Sequence, residues 1–327
     1  MLPTKTIEVT GQFNEPGVFP TVIAADSESA SLSQACEWVG AHKERLLEQL
    51  DADGALLLRD FPVRTDRDFD TVIQAFGVEN FAYADSLSNA VRVNRTERVF
   101  TANEAPPDVS IYMHHEMAQT PIFPAKLFFF CEKAAEQAGQ TPICRSDWLL
   151  QRLVESRPEF VAQCRRHGVR YFNTMPADDD AQSGQGRSWR STLRVETLAE
   201  AEIKLRELGY QWHWLDDGSL RATTPVLPAI RQMADGREVF FNQLIAAFRG
   251  WKDTAKAIAF GDMSEIDKAD MEHVCDIADA LTFDIPWQDG DIVVADNFLV
   301  MHGRRPFGGT RRILVSLVAD DGSRLAA

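Results

Sequence analysis

The feature that most constrains this chain is an almost uninterrupted apolar run near its middle, Lys126-Leu127-Phe128-Phe129-Phe130-Cys131. A short apolar run rich in aromatic residues predicts a core β-strand. Similar patterns predict further strands, and a Trp-rich segment before Asp216-Asp217-Gly218 predicts a hairpin. These predicted strands cover residues 55–58, 169–172, 211–214, 291–295 and 312–318. The last two enclose a glycine-rich bend, so the middle and the end of the chain are predicted to form a β core.

Helical spacing of apolar residues predicts helices before, between and after these strands. Thr65 is a candidate N-cap for the helix 65–76, and Gly77 is expected to end it. The other predicted helices cover residues 31–50, 147–156, 158–167, 195–208 and 268–281. The polar segment 176–186 is predicted to be a mobile loop that lies over a site. This order of elements predicts a single α+β domain over residues 1–327.

Charge and cysteine content narrow the class of protein. The chain has 34 Lys and Arg against 49 Asp and Glu, a formal net charge of −15, which argues against a nucleic-acid partner but not against a local basic pocket. Five scattered cysteines without a C-x-x-C pair indicate reduced thiols. Residues 1–20 have acidic and polar residues where a signal peptide would need an apolar run, and no stretch approaches the ~20 apolar residues of a membrane span. We therefore expect a cytoplasmic protein without a membrane partner, whose oligomeric state the sequence does not predict.

The chemically informative segment is Ile111-Tyr112-Met113-His114-His115-Glu116-Met117. In an extended segment, residues two apart point to the same side, so His114 and Glu116 face one way and His115 the other. An imidazole and a carboxylate on one face are two thirds of the 2-His-1-carboxylate site of non-haem Fe(II) oxygenases. His-x-Glu alone is also common on exposed strands, so this segment by itself favours a structural interpretation.

A second histidine with arginines behind it strengthens the metal interpretation. His302 is expected to follow a strand, and a returning strand opens with Arg311-Arg312. An iron site with two neutral histidines and one carboxylate keeps a positive charge and suits a bidentate 2-oxo acid, whose far carboxylate then needs the planar fork of an arginine. The alternative is that Arg304, Arg305, Arg311 and Arg312 form a solvated basic face and that His302 is an ordinary turn residue.

At this point the chain resembles the TauD/TfdA-like taurine dioxygenase/clavaminate synthase superfamily of Fe(II)/2-oxoglutarate oxygenases, and within it the amino-acid hydroxylases of natural-product pathways. The resemblance runs from about Gly54 to Val318. Its ordered motifs are Leu58-Arg59-Asp60-Phe61, residues 99–104, His114-His115-Glu116-Met117-Ala118, residues 128–131, Gly139-Gln140-Thr141-Pro142, residues 186–189, Phe241-Asn242-Gln243, residues 287–291 and His302-Gly303-Arg304.

The resemblance implies a double-stranded β-helix (jelly-roll) core with flanking helices. It also implies that His114, Glu116 and His302 bind Fe(II), and that 2-oxoglutarate and O2 are co-substrates. Arg312 and Thr141 would hold the distal carboxylate of 2-oxoglutarate. Arg311 is expected to be the weaker anchor, because adjacent strand residues face opposite sides. The sequence departs from the family in having Ala138-Gly139 where two glycines are usual before the threonine, and His115 between the ligands.

The resemblance implies a hydroxylase of a small amino-acid-like or carrier-tethered metabolite. Glu116 favours oxygen transfer, because related halogenases have Ala or Gly at this position. Arg92, Arg187, Trp189 and Asn242 lie in segments that approach the substrate in the family. The structural alternatives are surface salt bridges for the arginines and core packing for Trp189. Two other functions stay open: a desaturase or epoxidase on the same scaffold, and a catalytically silent jelly-roll protein that binds a ligand or a partner.

Overall fold

The computed structural model of the chain describes residues 2–26, 29–88, 90–179, 186–250 and 257–325. The strands in this part of the chain are β1 Thr4–Ile7, β2 Thr21–Ala25, β3 Ala55–Arg59, β4 Phe100–Thr101, β5 Ile111–His114, β6 Lys126–Lys133, β7 Gln137–Ala138, β8 Thr141–Arg145, β9 Val169–Met175, β10 Gln211–Trp214, β11 Leu220–Thr223, β12 Arg231–Gln232, β13 Glu238–Val239, β14 Ile258–Phe260, β15 Thr282–Ile285, β16 Ile292–Asp296, β17 Val300–Arg304, β18 Phe307–Gly308 and β19 Arg312–Val318.

The helices flank these strands and mostly lie where periodicity predicted them. They are α1 Leu32–Asp53, α2 Asp66–Phe76, α3 Ser146–Ser156, α4 Pro158–His167, α5 Trp189–Leu193, α6 Leu198–Glu207, α7 Leu244–Gly250 and α8 Lys268–Ala280. Thr65 caps α2 in a reciprocal capping box with Asp68, and Gly77 ends it with φ of 67°. α6 begins later than predicted, because Thr197 and Glu200 form its capping box. Among the described helices, none is both long and apolar enough to cross a bilayer.

Two antiparallel sheets face each other and form the core. The larger sheet has the strand order β1-β2-β3-β16-β6-β19-β4, in which only β2 and β3 are parallel, and the smaller one has the order β15-β8-β17-β5. Side chains from both sheets, Leu57 and Val293 on one side and Ile143 and Val300 on the other, share one buried cluster. This arrangement confirms the predicted α+β jelly roll with flanking helices.

The central strand β6 explains the apolar run that dominates the sequence. Leu127 and Phe129 point into the space between the two sheets, whereas the rings of Phe128 and Phe130 pack against Phe76 and Phe69 of α2. Both faces of β6 are therefore buried, and strict alternation of polar and apolar residues is lost. Complete burial of each such Phe stabilises the fold by roughly 1.5–3 kcal/mol.

A third sheet, β10-β11-β9-β14, lies outside the jelly roll and supplies part of the cavity wall. The predicted hairpin is present, with Trp214 on β10 directly opposite Leu220 on β11. Of the predicted mobile loop 176–186, residues 180–185 lie outside the described part of the chain. Pro176 and Gly186, on either side of them, line the cavity.

Candidate functional site

Two neighbouring strands of the smaller sheet bring the predicted histidines together. β5 and β17 pair antiparallel with His302 directly opposite His114, and the two imidazole centroids are 4.4 Å apart. The sequence analysis expected His302 to follow a strand, but the structure places it within β17. The ring of His302 also packs edge-on against Phe129 at 5.2 Å. Strand pairing and packing together fix the direction of both rings.

Glu116 lies in the turn that follows β5. Met117 has φ of 59°, a left-handed conformation that is rare for a residue with a side chain. Asn297, which is fully buried, accepts the backbone N–H of Glu116 at 2.8 Å and donates its amide to the Glu116 carbonyl at 3.0 Å. Asn297 therefore holds the backbone of the carboxylate residue, a role that the sequence analysis missed because the two residues are far apart in the chain.

The donor atoms of His114, Glu116 and His302 converge on one point. Their candidate ligand atoms all lie within 4.8 Å of one another, and Glu116 Oε2 is 3.4 Å from His302 Nε2 and 3.9 Å from His114 Nε2. His114 Nδ1 lies 2.8 Å from the Tyr112 carbonyl, to which its N–H donates, so the Nε2 lone pair is free. Two imidazole nitrogens and one carboxylate oxygen are the donor set of a facial-triad iron site, and the cluster fits Fe(II).

Electrostatics keeps His114 and Glu116 deprotonated at neutral pH. Burial, together with the nearby His302, lowers the pKa of His114 to about 4. Burial alone would raise the pKa of Glu116, but the Arg92 guanidinium, 2.8 Å from Glu116 Oε1, holds that pKa far below its usual range. Metal ions bind neutral imidazole and ionised carboxylate, so both groups are in the binding form.

His115 points away from this cluster, as its position between the two ligands predicts. It is fully buried, its Nδ1 bonds the Asn297 carbonyl, and its ring lies 4.8 Å from that of Phe241. It is a core residue that braces the turn.

The structure corrects the prediction that Arg312 faces the candidate site. Arg312 is half exposed and pairs with Glu132 at 2.7 Å on the outside of the sheet. Arg311 instead lines the cavity and donates to the Gly139 carbonyl at 2.7 Å and to Thr141 Oγ1 at 3.1 Å. The two neighbours face opposite sides as expected, but Arg311 and not Arg312 faces the cavity. Ile313 and Val315, in step with Arg311, also line the cavity.

Arg311 has the properties of a receptor for an anion. Burial, reinforced by Arg304, lowers its pKa to about 10, so it stays a cation at neutral pH. No carboxylate pairs with it within the described residues. Thr141 lies beside it, buried, and accepts a further hydrogen bond from Trp287 Nε1 at 3.0 Å. The threonine and the arginine thus face the same space.

Of the four predicted substrate residues, only Arg92 lines the cavity. Arg187 donates to the carbonyls of Ser88 and Ser191, and of these two residues only Ser88 lines the cavity. Trp189 is buried against Trp214 with ring centroids 5.1 Å apart. Asn242 is buried, with its amide bonded to the Ala229 carbonyl. The structure therefore corrects the predicted substrate role for these three residues, because each is engaged away from the cavity.

The cavity itself has a volume of about 860 Å³, within the usual range for small-molecule sites. Arg304, two residues past His302, donates to the carbonyls of Ala105, Pro106 and Val109 at 2.8, 2.6 and 2.8 Å. These hydrogen bonds connect the loop 105–109, which lines the cavity, to the strand β17 that contains His302. The sequence motif His302-Gly303-Arg304 pointed to this arginine, but gave no sign of what it binds.

Comparison with known proteins assigns this arrangement to a family. Residues 18–318 match the family described as taurine catabolism dioxygenase TauD, TfdA family. A clavaminate synthase-like protein of Arabidopsis thaliana is 39% identical over 310 residues, which cover 91% of this chain and 93% of the relative. The dapdiamide synthesis protein DdaC of Enterobacter agglomerans is 28% identical over 313 residues, which cover 91% and 90%.

A similar fold occurs in the solved structure of PvcB from Pseudomonas aeruginosa, with a TM-score of 0.55, 14% identity and coverage of 93% of this chain and 87% of PvcB. A second structure describes PvcB as an Fe, alpha-ketoglutarate dependent oxygenase from an isonitrile synthetic pathway. The predicted family, enzyme class and cofactors are confirmed. The chain belongs to the TauD, TfdA family and is a non-haem dioxygenase that depends on Fe(II) and 2-oxoglutarate.

Proposed function

We propose that this dioxygenase hydroxylates a C–H bond of a small amino-acid-like or carrier-tethered metabolite in natural-product biosynthesis. The observation that carries the proposal is one cavity with two ends: the cluster of His114, Glu116 and His302, and the Arg311–Thr141 pair. The relatives support the pathway class, since one takes part in dapdiamide synthesis and a structural neighbour in an isonitrile pathway. We further propose that residues 1–327 act as one cytoplasmic oxygenase domain.

In this proposal the three clustered side chains bind Fe(II). Bound iron supplies the activation of O2, coupled to oxidation of 2-oxoglutarate to succinate and CO2. Arg311 and Thr141 take the distal carboxylate of 2-oxoglutarate, since a guanidinium fork with a hydroxyl beside it matches the two carboxylate oxygens. Phe129 and Ile313 supply apolar wall between the two ends of the cavity.

Arg92 has a different role from the one that its segment suggested. Its guanidinium is bonded to Glu116 Oε1 and lies over the rings of Tyr83 and Phe100, at 4.9 and 5.3 Å. Glu116 Oε2 is left facing the two histidines. We propose that Arg92 positions the carboxylate so that one oxygen binds the metal while the other stays on the guanidinium.

The test of the proposed function is succinate formation from 2-oxoglutarate with Fe(II) in air, for the wild type and for His114→Ala. We expect turnover in the wild type and its loss in His114→Ala. The matched control is His273→Ala, since His273 lies on α8 with its ring bonded to Ser156 and outside the cavity. Normal turnover of His114→Ala would refute the metal assignment.

The reaction type is tested with amino acids and acyl-amino acids screened by mass spectrometry. Desaturation removes two hydrogens, whereas hydroxylation and epoxidation each add one oxygen. The structure of the product then distinguishes an alcohol from an epoxide. We expect a product that has gained a hydroxyl group. A product that lacks two hydrogens, or an epoxide, would replace hydroxylation by the corresponding alternative.

A further inference from the structure

The cavity is strongly cationic although the protein is acidic. Its lining contains four arginines, which are Arg92, Arg221, Arg304 and Arg311. Among the described residues that line it, Glu116 is the only carboxylate. The lining therefore concentrates a net positive charge, although the whole chain has a formal net charge of −15. Such a concentration favours anionic ligands and speeds their approach.

Three of these arginines already form hydrogen bonds with other groups of the protein. Arg92 is bonded to Glu116, Arg304 binds the carbonyls of the loop 105–109, and Arg311 lies beside Thr141. Arg221 is the remaining one. It is exposed, and within the described part of the chain no side chain or carbonyl accepts a hydrogen bond from its guanidinium. An exposed residue that also lines the cavity lies at its mouth.

Strand pairing gives Arg221 two polar neighbours. On the outer sheet, Arg221 of β11 is directly opposite Thr174 of β9 and His213 of β10. Residues directly opposite on neighbouring strands point to the same face, with Cβ atoms about 5 Å apart. All three are exposed. A hydroxyl, a guanidinium and an imidazole therefore form a row, and Thr174 lines the cavity together with Arg221.

An apolar surface lies next to this row on the cavity side. Phe172 lies two residues before Thr174 on β9, and so on the same face of the strand, and it lines the cavity as well. The row thus offers a place for a charged group, with an aromatic ring for the adjoining hydrocarbon. The cavity volume of about 860 Å³ is several times what a five-carbon diacid such as 2-oxoglutarate fills, so a second molecule fits.

We propose that Arg221, Thr174 and His213 form an anion subsite at the cavity mouth, which binds a carboxylate or phosphate at the end of the primary substrate remote from the oxidised carbon. This inference rests on the proposed function and narrows it to anionic substrates. A guanidinium beside a hydroxyl recognises both kinds of anion. A carboxylate belongs to a free acid, whereas a phosphate belongs to the 4′-phosphopantetheine arm of a carrier.

The experiment uses the full chain loaded with Mn(II) and N-oxalylglycine, which fills the place of 2-oxoglutarate. Octanoate, octanamide and 4′-phosphopantetheine are titrated by calorimetry into the wild type, Arg221→Gln and Arg166→Gln. Arg166 is an exposed arginine on α4 outside the cavity, so its replacement makes the same charge change elsewhere. Thermal unfolding of each variant shows that it is folded.

We expect at least one of the two anions to bind the wild type and Arg166→Gln equally, and Arg221→Gln about fivefold more weakly. Octanamide should bind all three proteins alike. If the subsite prefers a carboxylate, octanamide should also bind the wild type more weakly than octanoate does. The anion with the tighter, Arg221-dependent binding identifies a free acid or a carrier arm as the source. Equal binding of both anions to Arg221→Gln and the wild type, or no binding of either, would overturn the subsite.

Failure of the proposed function gives a different result. If the wild type does not bind N-oxalylglycine with Mn(II), the assignment of the metal and of Arg311 fails, whatever the other ligands do. The same anions are then titrated into the metal-free protein, where dependence on Arg221 still tests the subsite by itself.

Discussion

At the scale of single residues, neighbouring arginines with the same chemistry have different surroundings. Arg311 is partly buried beside Thr141 and has no carboxylate partner in the described chain, whereas Arg312 is half exposed on Glu132. Arg92 is buried against a metal-ligand candidate. Each of these environments predicts a different consequence of substitution.

Replacement of Arg311 by Gln should raise the dissociation constant of 2-oxoglutarate about 100-fold, because the distal carboxylate of this co-substrate would lose a partly buried, charged partner. Arg312→Gln removes the same charge one residue away and should change this constant less than about threefold, as expected for an exposed ion pair. The measurement is anaerobic titration of the Fe(II) protein, followed by the visible band of the complex. Equal effects of both substitutions would contradict the assignment of Arg311.

Arg92→Met should weaken Fe(II) binding about tenfold, since partners of metal ligands typically contribute 10–100-fold in affinity. Arg92→Lys keeps the charge and should recover part of the loss. Both are checked by Fe(II) titration and by the position of the visible band with 2-oxoglutarate. If Arg92→Met leaves both unchanged and only raises the KM of the primary substrate, Arg92 binds substrate, as its segment first suggested.

At the scale of elements, the distance between β5 and β17 sets the distance between the two histidines. Gly303 lies on β17 between His302 and Arg304, and a Cβ there would come within 2.4 Å of the Ile111 carbonyl oxygen on β5. A side chain at this position must push the strands apart. The glycine therefore preserves the spacing of the candidate ligands.

Gly303→Ala should lower the free energy of unfolding by about 1–3 kcal/mol, the usual range for overpacking, and should weaken Fe(II) binding as well. The control is Gly40→Ala in α1, where the nearest atom is 3.8 Å from the added Cβ. That change should stabilise the protein by up to about 1 kcal/mol. Urea unfolding and Fe(II) titration measure both. Wild-type stability and metal affinity in Gly303→Ala would show that the strands tolerate the shift.

At the scale of the whole molecule, the jelly roll encloses ionisable groups that the unfolded chain exposes to water. His115 is buried between the turn of Glu116 and Phe241, and burial, opposed by its bond to Asn297, lowers its pKa to about 3 from 6.5. Above both values the ring is neutral in both states. Between pH 6.5 and about pH 3, His115 is protonated in the unfolded chain but neutral in the folded protein, so acid favours unfolding.

The metal-free protein should therefore lose stability as the pH falls from about 6.5 toward 3, and the slope should be smaller in His115→Asn. The measurement is urea unfolding at several pH values. His273→Asn, a change near the middle of α8 and outside the cavity, should keep the wild-type slope. An unchanged slope in His115→Asn would show that His115 does not contribute to acid lability.

Much of the fold was predictable because local rules decided it. The helix 66–76 follows from Thr65, Asp68 and Gly77, all within a few residues of its ends. The apolar run at β6 predicted a core strand, and the structure shows it at the centre of the larger sheet. Residue type and short spacing singled out His114 and Glu116, and the distant His302, with the arginines behind it and the ordered family motifs, completed the set of candidate ligands.

Only the tertiary structure decided which side chains face the cavity. Both faces of β19 are buried beyond its first residue, so apolar alternation along the strand did not show that Arg311 and not Arg312 points inward. Asn297, Arg221 and Thr174 reach the site or its mouth through pairing and turns between segments distant in sequence. The sequence thus determined the chemistry of the metal cluster, because it depends on residue type and short spacing. Register and packing across the sheets decided which of the two arginines lines the cavity and which residues form its walls.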